Sequence, residues 1–305
     1  MYYKYSDYLS KKYGGKVYKL PVNINVTCPN RDGKKGTGGC IFCSSEGAGF
    51  EMLENTLSIS KQLETNREYI GKKYKAEKFI AYFQNFTNTY LAADIFYDNL
   101  AEAAESENIV GITVSTRPDC VGDEHLKKAS EIKEKYNVDI TFELGLQTAN
   151  YKTLEFLNRG HGLSEFIDAV LRIKKYGFYV GVHVILGLIG DDLRDVKETA
   201  KILSVLNVDN VKIHSLYILK NTVLGEMYEK GEIKPKSKDE YINEVIVFLE
   251  NLKKDIAVQR LLGRAPEELT LFENWGNSWR KVHDEILCEM EKRNSYQGKG
   301  WIDYE

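Results

Sequence analysis

The stretch Cys28-Pro29-Asn30-Arg31-Asp32-Gly33-Lys34-Lys35-Gly36-Thr37-Gly38-Gly39-Cys40-Ile41-Phe42-Cys43 carries three cysteines spaced C-x11-C-x2-C on a glycine-rich loop. Three thiolates gathered on one loop suit a soft metal centre. A structural zinc site closes with four ligands, and no fourth Cys or His lies near this loop. A [4Fe–4S] cluster usually takes four Cys, so three leave one iron open to a ligand from outside the chain. The competing readings are weaker. A disulfide plus a spare thiol needs an oxidising compartment, whereas the start Met1-Tyr2-Tyr3-Lys4-Tyr5 has no hydrophobic leader and the chain has an odd number of Cys, five. A core strand does not accommodate Asn30, Arg31, Asp32 and the glycines that follow them. Cys120 and Cys288 read as ordinary buried thiols.

Outward from this loop, short β-rich runs alternate with helical periods. The sequence predicts strands over 17–26, 78–84, 109–115, 139–147, 179–186 and 210–219, and helices over 58–74, 91–106, 123–136, 164–176 and 192–206. In the fourth of these helices Phe166, Ala169, Val170 and Ile173 recur at helical spacing. Runs such as Ile109-Val110-Gly111-Ile112-Thr113-Val114 suit parallel strands covered by helices. Six strand–helix repeats are too few for a closed eight-fold barrel, so the expected fold is α/β, a partial open (β/α)6 barrel. Residues 1–16 are expected as an N-terminal extension outside the barrel, 17–232 as the barrel, and 233–305 as a C-terminal helical extension packed on it. That extension would carry helices over 239–257 and 277–293.

Composition narrows the setting. Apolar residues make up 43% and charged residues 29% of 305, as in a globular protein. No apolar run approaches the ~20 residues that cross a bilayer, so no membrane partner is expected. A reducing cytoplasm is the expected location. The net charge of −3 does not advertise nucleic-acid binding, and the lysine groups read as solvated helix faces.

In parallel barrels functional residues stand at the C-terminal ends of the strands. After the second strand, Gln84, Asn85 and Thr87 bring amides and a hydroxyl suited to an ammonium group, or equally to capping the next helix. The third strand ends at Ser115. In the fourth, Glu143 and Gln147 lie four residues apart and so share the lumen face. A charge inside an apolar strand is costly unless paired, which fits an internal hydrogen-bond network or a ligand. Arg159, among small residues, has the fork that grips a carboxylate. His183 on an apolar strand is by default a satisfied core histidine, and so is His214.

The cysteine spacing resembles the radical S-adenosylmethionine (SAM) superfamily in a lengthened form. Tyr82-Phe83-Gln84, Ser115-Thr116-Arg117-Pro118-Asp119, Glu143-Leu144-Gly145-Leu146-Gln147-Thr148, Asn158-Arg159-Gly160-His161, Lys212-Ile213-His214 and Gln259-Arg260-Leu261 are similar to its YhcC/YtqA-type subgroup over nearly the whole chain. That subgroup is related to the radical SAM part of the elongator tRNA acetyltransferase and to the oxygen-independent coproporphyrinogen oxidase. The resemblance implies a [4Fe–4S] cluster on Cys28, Cys40 and Cys43, SAM as cofactor, and an electron donor such as flavodoxin or ferredoxin. Gln147 and Arg159 resemble SAM-binding residues of the oxidase. Ser115 and His183 stand where the oxidase has acids facing the ribose and the adenosine. Glu143 is the expected catalytic residue, and Gln84, Asn85 and Thr87 join the cofactor-binding set. The activity implied is cleavage of SAM to a 5′-deoxyadenosyl radical that abstracts hydrogen from a substrate. The subgroup usually reads Gly-Leu-Pro-Gly-Glu where this chain has Gly187-Leu188-Ile189-Gly190-Asp191. With the acidic balance, that departure tilts the expected substrate towards a small nucleobase, queuine, split to 7-aminomethyl-7-deazaguanine by a queuine lyase. Modification of tRNA at a wobble uridine is the alternative, and a non-catalytic metal-containing RNA-binding protein a third.

Overall fold

The computed structural model describes residues 1–44, 47 and 52–302. Residues 303–305, the end of the expected C-terminal extension, lie outside the described residues. Six parallel strands run side by side in chain order: β1 (Val17–Val22), β2 (Lys78–Phe83), β3 (Ile109–Thr116), β4 (Asp139–Gln147), β5 (Tyr179–Leu186) and β6 (Asn210–Ser215). The sheet curls into a half-barrel. Helices α2 (Ile59–Tyr74), α3 (Ala93–Ala104), α4 (Asp123–Tyr136), α6 (Leu163–Lys175) and α7 (Leu193–Val205) connect them, with a short α5 (Tyr151–Phe156) before α6.

Each strand is apolar on the side that meets the helices and polar on the other. Leu20 and Val22, Phe79 and Ala81, Ile112 and Val114, Phe142 and Leu144, Val180 and Val182, and Val211 and Ile213 all join the main apolar core. The alternate positions, among them Tyr82, Ser115, Glu143, His183, Lys212 and His214, line one cavity. A period of two puts these sets on opposite faces. The helices bury the stripes that their spacing predicted: Phe166, Ala169, Val170 and Ile173 of α6 are all fully buried. Ser58 caps α2 by accepting from the backbone N–H of Lys61, and Asp192 caps α7 in a capping box.

Four local expectations are corrected. The first strand stops at Val22, not at residue 26, because its neighbour β2 ends opposite it at Phe83. The sixth stops at Ser215, and residues 218–219 leave the sheet as β7 (Ile218–Leu219) to pair antiparallel with β9 (Thr270–Phe272). The helix expected over 239–257 is α9 (Lys238–Asn251), broken where Leu252 turns extended. Beyond it, β8 (Ala257–Val258) adds a seventh parallel strand beside β6. The remaining helices are α1 (Tyr5–Tyr13), α8 (Val223–Glu229) and α10 (Trp279–Lys292).

The N-terminal segment closes the bottom of the half-barrel. Tyr13 donates to Asp139 at the start of β4 (2.8 Å), Lys12 lies over the ring of Tyr179 at the start of β5, and Lys78 at the start of β2 donates to the Tyr13 carbonyl (2.5 Å). Tyr3 accepts at its carbonyl from the backbone of Val258 (2.8 Å). With that end shut, the cavity opens at the C-terminal ends of the strands.

Candidate active site

The cavity has a volume of about 710 Å3, within the range of small-molecule and cofactor sites. Its rim and its floor differ in construction.

The rim is the cysteine loop after β1. Arg31 donates to Cys43 Sγ at 3.1 Å, to the Cys43 carbonyl at 3.2 Å and to the Ser44 carbonyl. Arg159 donates to Cys40 Sγ at 3.1 Å and to the Gly145 carbonyl at 2.7 Å. Asn30 donates to the Asn158 carbonyl (2.6 Å), and Asn158 returns a bond to the Gly39 carbonyl (2.8 Å). Leu157 and Leu224 are tied to the backbone of Ile41. The loop is therefore stitched to the segment after α5 and to α8. Burial pushes the Cys43 thiol up, and the Arg31 guanidinium works against it.

The floor is assembled from nearly every strand. Glu143 on β4 accepts from Lys19 on β1, from Gln259 after β8 (2.6 Å) and from His183 on β5 (2.9 Å). Burial alone would raise its carboxyl. Lys19, the His183 bond and Lys212 outweigh burial and hold it well below the usual range. Glu143 is thus a carboxylate and can only accept, so His183 Nε2 carries the proton of their bond. His183 is itself pushed down to about 4, chiefly by burial; it is neutral at pH 7, with Nδ1 left as an acceptor. Gly181 beside it has no side chain for a reason: a Cβ there would stand 2.7 Å from Glu143 Cγ and 2.8 Å from Asn210 Oδ1. Across the lumen Lys212 donates to the Tyr82 hydroxyl at 2.8 Å.

Most of the residues expected from sequence meet here. Cys28, Cys40 and Cys43 line the cavity, as do Gln84, Thr87, Ser115, Glu143, Gln147, Arg159 and His183. Asn85 does not line it. It is buried alongside, with its side-chain oxygen accepting from the backbone of Phe86. Gln147 reaches the cavity through a break in the β4–β5 register after Gly145 and a left-handed φ of 76°. Such backbone is uncommon outside glycine and marks a constrained position. Ile189, whose departure pointed to the substrate, packs beside the second apolar cluster and is not a cavity residue. Sequence reasoning gave no site role to Lys19, Arg31, Tyr82, Arg117 or Arg260. The signal that marked Glu143, a charge inside an apolar strand, also marks Lys212 between Val211 and Ile213.

The residue set fits a cluster with a bound cofactor. Among the described residues no three Cys, His, Asp or Glu converge on a point where they would hold one metal ion. Three thiols that line one cavity suit a cluster in which each Cys binds its own iron. Among the described residues Arg117 Nη1 and Arg159 Nε are buried donors without a partner, on residues that line this cavity, and an anionic group would satisfy them.

The description of the radical SAM superfamily matches residues 22–203, and that of the Radical_SAM C-terminal domain matches residues 208–292. The chain belongs to the radical SAM superfamily. Its members use a [4Fe–4S] cluster and SAM, in agreement with the three cysteines. Protein YtqA of Bacillus subtilis (strain 168) is 36% identical over 299 residues, covering 98% of this chain and 92% of its own length. A tRNA uridine(34) acetyltransferase of Methanocaldococcus jannaschii is 32% identical over 155 residues, covering 50% of this chain and 27% of its own length. Among solved structures, archaeal Methanocaldococcus infernus Elp3 with an N-terminal deletion superposes with a TM-score of 0.68 at 19% identity, over 92% of this chain and 64% of that one. The expected resemblance to the YhcC/YtqA-type subgroup and the half-barrel fold are both met. No described helix is long and apolar enough to cross a membrane.

Proposed function

We propose that this radical SAM enzyme abstracts hydrogen from a modified nucleobase of the tRNA wobble position, with a uridine as the base. The match to a tRNA uridine(34) acetyltransferase over half of the chain supports this reading. The queuine lyase reading uses the same radical step on a free base. Its sequence support was the Ile189 departure together with the acidic balance; Ile189 packs beside the second apolar cluster, and the match to a tRNA-modifying relative favours the tRNA substrate.

When bound, the reduced cluster and SAM supply a 5′-deoxyadenosyl radical and methionine. The residues of the chain bind and orient. Cys28, Cys40 and Cys43 would hold three irons. Arg159, whose Nε has no partner among the described residues, and Gln147 would hold the amino-acid end of SAM. Ser115 and the free Nδ1 of His183 offer hydrogen bonds to its nucleoside. Gln84 and Thr87 complete the wall. Glu143 keeps the floor in place by holding Lys19, His183 and Gln259 as a carboxylate. The half-barrel, shut at its N-terminal end, limits the water that reaches the cavity.

The test is anaerobic reconstitution with SAM and a low-potential reductant such as reduced flavodoxin, read as 5′-deoxyadenosine release. tRNA carrying a modified wobble uridine should stimulate release and queuine should not. Stimulation by queuine with formation of 7-aminomethyl-7-deazaguanine would overturn the tRNA reading in favour of the lyase.

A further inference from the structure

The cavity is lined by the basic residues Arg31, Arg117, Arg159, Lys212, Arg260 and Arg264, and Arg117 is paired with Asp119. Arg31 and Arg159 contact the cysteine sulfurs, and the cluster and SAM account for them. Lys212 and Arg260 stand apart from that set. Lys212, on β6, is more than nine-tenths buried, and its ammonium has one hydrogen-bond partner among the described residues, the neutral hydroxyl of Tyr82. Arg260 enters from beyond β8. Its Nη2 donates to His214 Nδ1 at 2.6 Å, and its Nε is buried without a partner among the described residues. Neither cation forms an ion pair within 4.0 Å among the described residues, whereas Lys19 has Glu143. Glu143 is already engaged by Lys19, His183 and Gln259. Two basic groups buried side by side, without a carboxylate of their own, are costly to keep charged, and burial lowers both, Lys212 strongly. Both line the cavity, so a ligand can reach them.

We infer that Lys212 and Arg260, with His214 held by Arg260, form a subsite for an anionic group of the substrate, a carboxylate or a phosphate, apart from the cysteine rim. The subsite has two strong donors for two oxygens of one anion. His214 also has its ring stacked against His183, with centroids 5.2 Å apart, so the subsite is braced against the network of Glu143. An anion placed there compensates both cations at once. The inference rests on the substrate entering this cavity and not on which nucleobase it carries.

The experiment uses the reconstituted enzyme with SAM bound, so that the rim arginines are occupied. Acetate and inorganic phosphate are titrated at constant ionic strength against chloride, and binding is read from the shift in Tm. One of the two anions should stabilise saturably where chloride does not, and which one does so identifies the group. Lys212→Met and Arg260→Gln should each weaken that anion about tenfold or more, as expected for loss of a charge-assisted bond. Lys212→Arg should retain binding, and SAM affinity should be unchanged in all three variants. Equal, unsaturable effects of all the salts, or wild-type anion binding in Lys212→Met and Arg260→Gln, would overturn the subsite. A saturable anion together with no stimulation of 5′-deoxyadenosine release by tRNA leaves the subsite standing and removes the wobble-uridine reading.

Discussion

The cysteine rim and the charged floor bound the same cavity and are built on opposite plans. The rim is local. Its ligands come from sixteen consecutive residues, positions 28 to 43, and its cations, Arg31 and Arg159, point N–H groups at sulfur. The floor is assembled from β1, β2, β4, β5 and β6 and the chain after β8, and on the Glu143 side it satisfies itself. The rim thus turns its thiols towards the cavity, while the Glu143 side of the floor pairs its own charges. The largest expected effect tests the first half of that statement. Cys28→Ala, Cys40→Ala and Cys43→Ala should each abolish the cluster, read as iron content and visible absorption after anaerobic reconstitution. The wild type should hold about four irons. Cys120→Ala and Cys288→Ala should leave iron content at the wild-type level. Zinc bound in place of iron–sulfur absorption would refute the rim as described.

The second half is tested on the apo protein. Glu143→Ala strands Lys19 in the lumen and removes the acceptor of Gln259 and His183. Breaking a buried charge pair from one side costs about 3–5 kcal/mol, so denaturant unfolding should show a loss of that size. Cys28→Ala, which takes no partner from the floor, should stay within about 1 kcal/mol of wild type. If both variants unfold alike, the contrast between rim and floor is gone.

The same contrast explains what could be read from sequence. Cys28, Cys40 and Cys43 announce themselves by spacing, because their chemistry is gathered on one loop. The alternation of strands and helices is likewise local, and α6 buries the four residues that its period predicted. Glu143 stood out as a charge in an apolar run. Its partners did not, since Lys19 lies on β1, within Val17-Tyr18-Lys19-Leu20, and Gln259 lies beyond a two-residue strand, and nothing local says that they meet. β8 was hidden in a run that continues a helical pattern, and only its pairing with β6 makes it a strand. Ile189 makes a related point: the sequence shows that it departs from a pattern and not which way it faces, and in the fold it packs beside the second apolar cluster.

A third effect separates the two regions by pH. His183 is pushed down to about 4 by burial, against an ordinary value near 6.5. As pH falls below about 6.5 the unfolded chain takes up a proton that the folded chain refuses, so stability is full above that value and is lost between about 6.5 and 4. The loss is on the order of 3 kcal/mol for this group. His214 and His161 are lowered too, with burial as the leading cause, and act in the same direction. Glu143, held low, adds a further loss only when the pH falls below the ordinary carboxylate range. Unfolding curves of the apo protein from pH 7 to 4 should show the decline, and His183→Gln should reduce it. A flat profile over that interval would mean that the histidines of the floor are accessible to protons.

The smallest effect falls on the rim and asks whether its arginine serves the cofactor or only the loop. Arg159 contacts Cys40 Sγ and the Gly145 carbonyl, and its Nε has no partner among the described residues. Gln147 reaches the same space, since a Cβ on Gly145 would lie 3.0 Å from Gln147 Nε2 and 3.1 Å from Arg159 Nη2. If both face SAM, Arg159→Ala and Gln147→Ala should keep the cluster and weaken SAM. The arginine variant should lose about 1.5–3 kcal/mol, the range for a hydrogen bond to a charged group, and the glutamine variant about 0.5–1.5 kcal/mol, the range for a neutral one. Equilibrium binding of SAM to the reconstituted variants measures both. Loss of the cluster in Arg159→Ala would instead make that arginine a support of Cys40. Unchanged SAM affinity in both variants would place the amino-acid end of SAM elsewhere on the rim, where Arg117 offers a guanidinium nitrogen without a partner among the described residues.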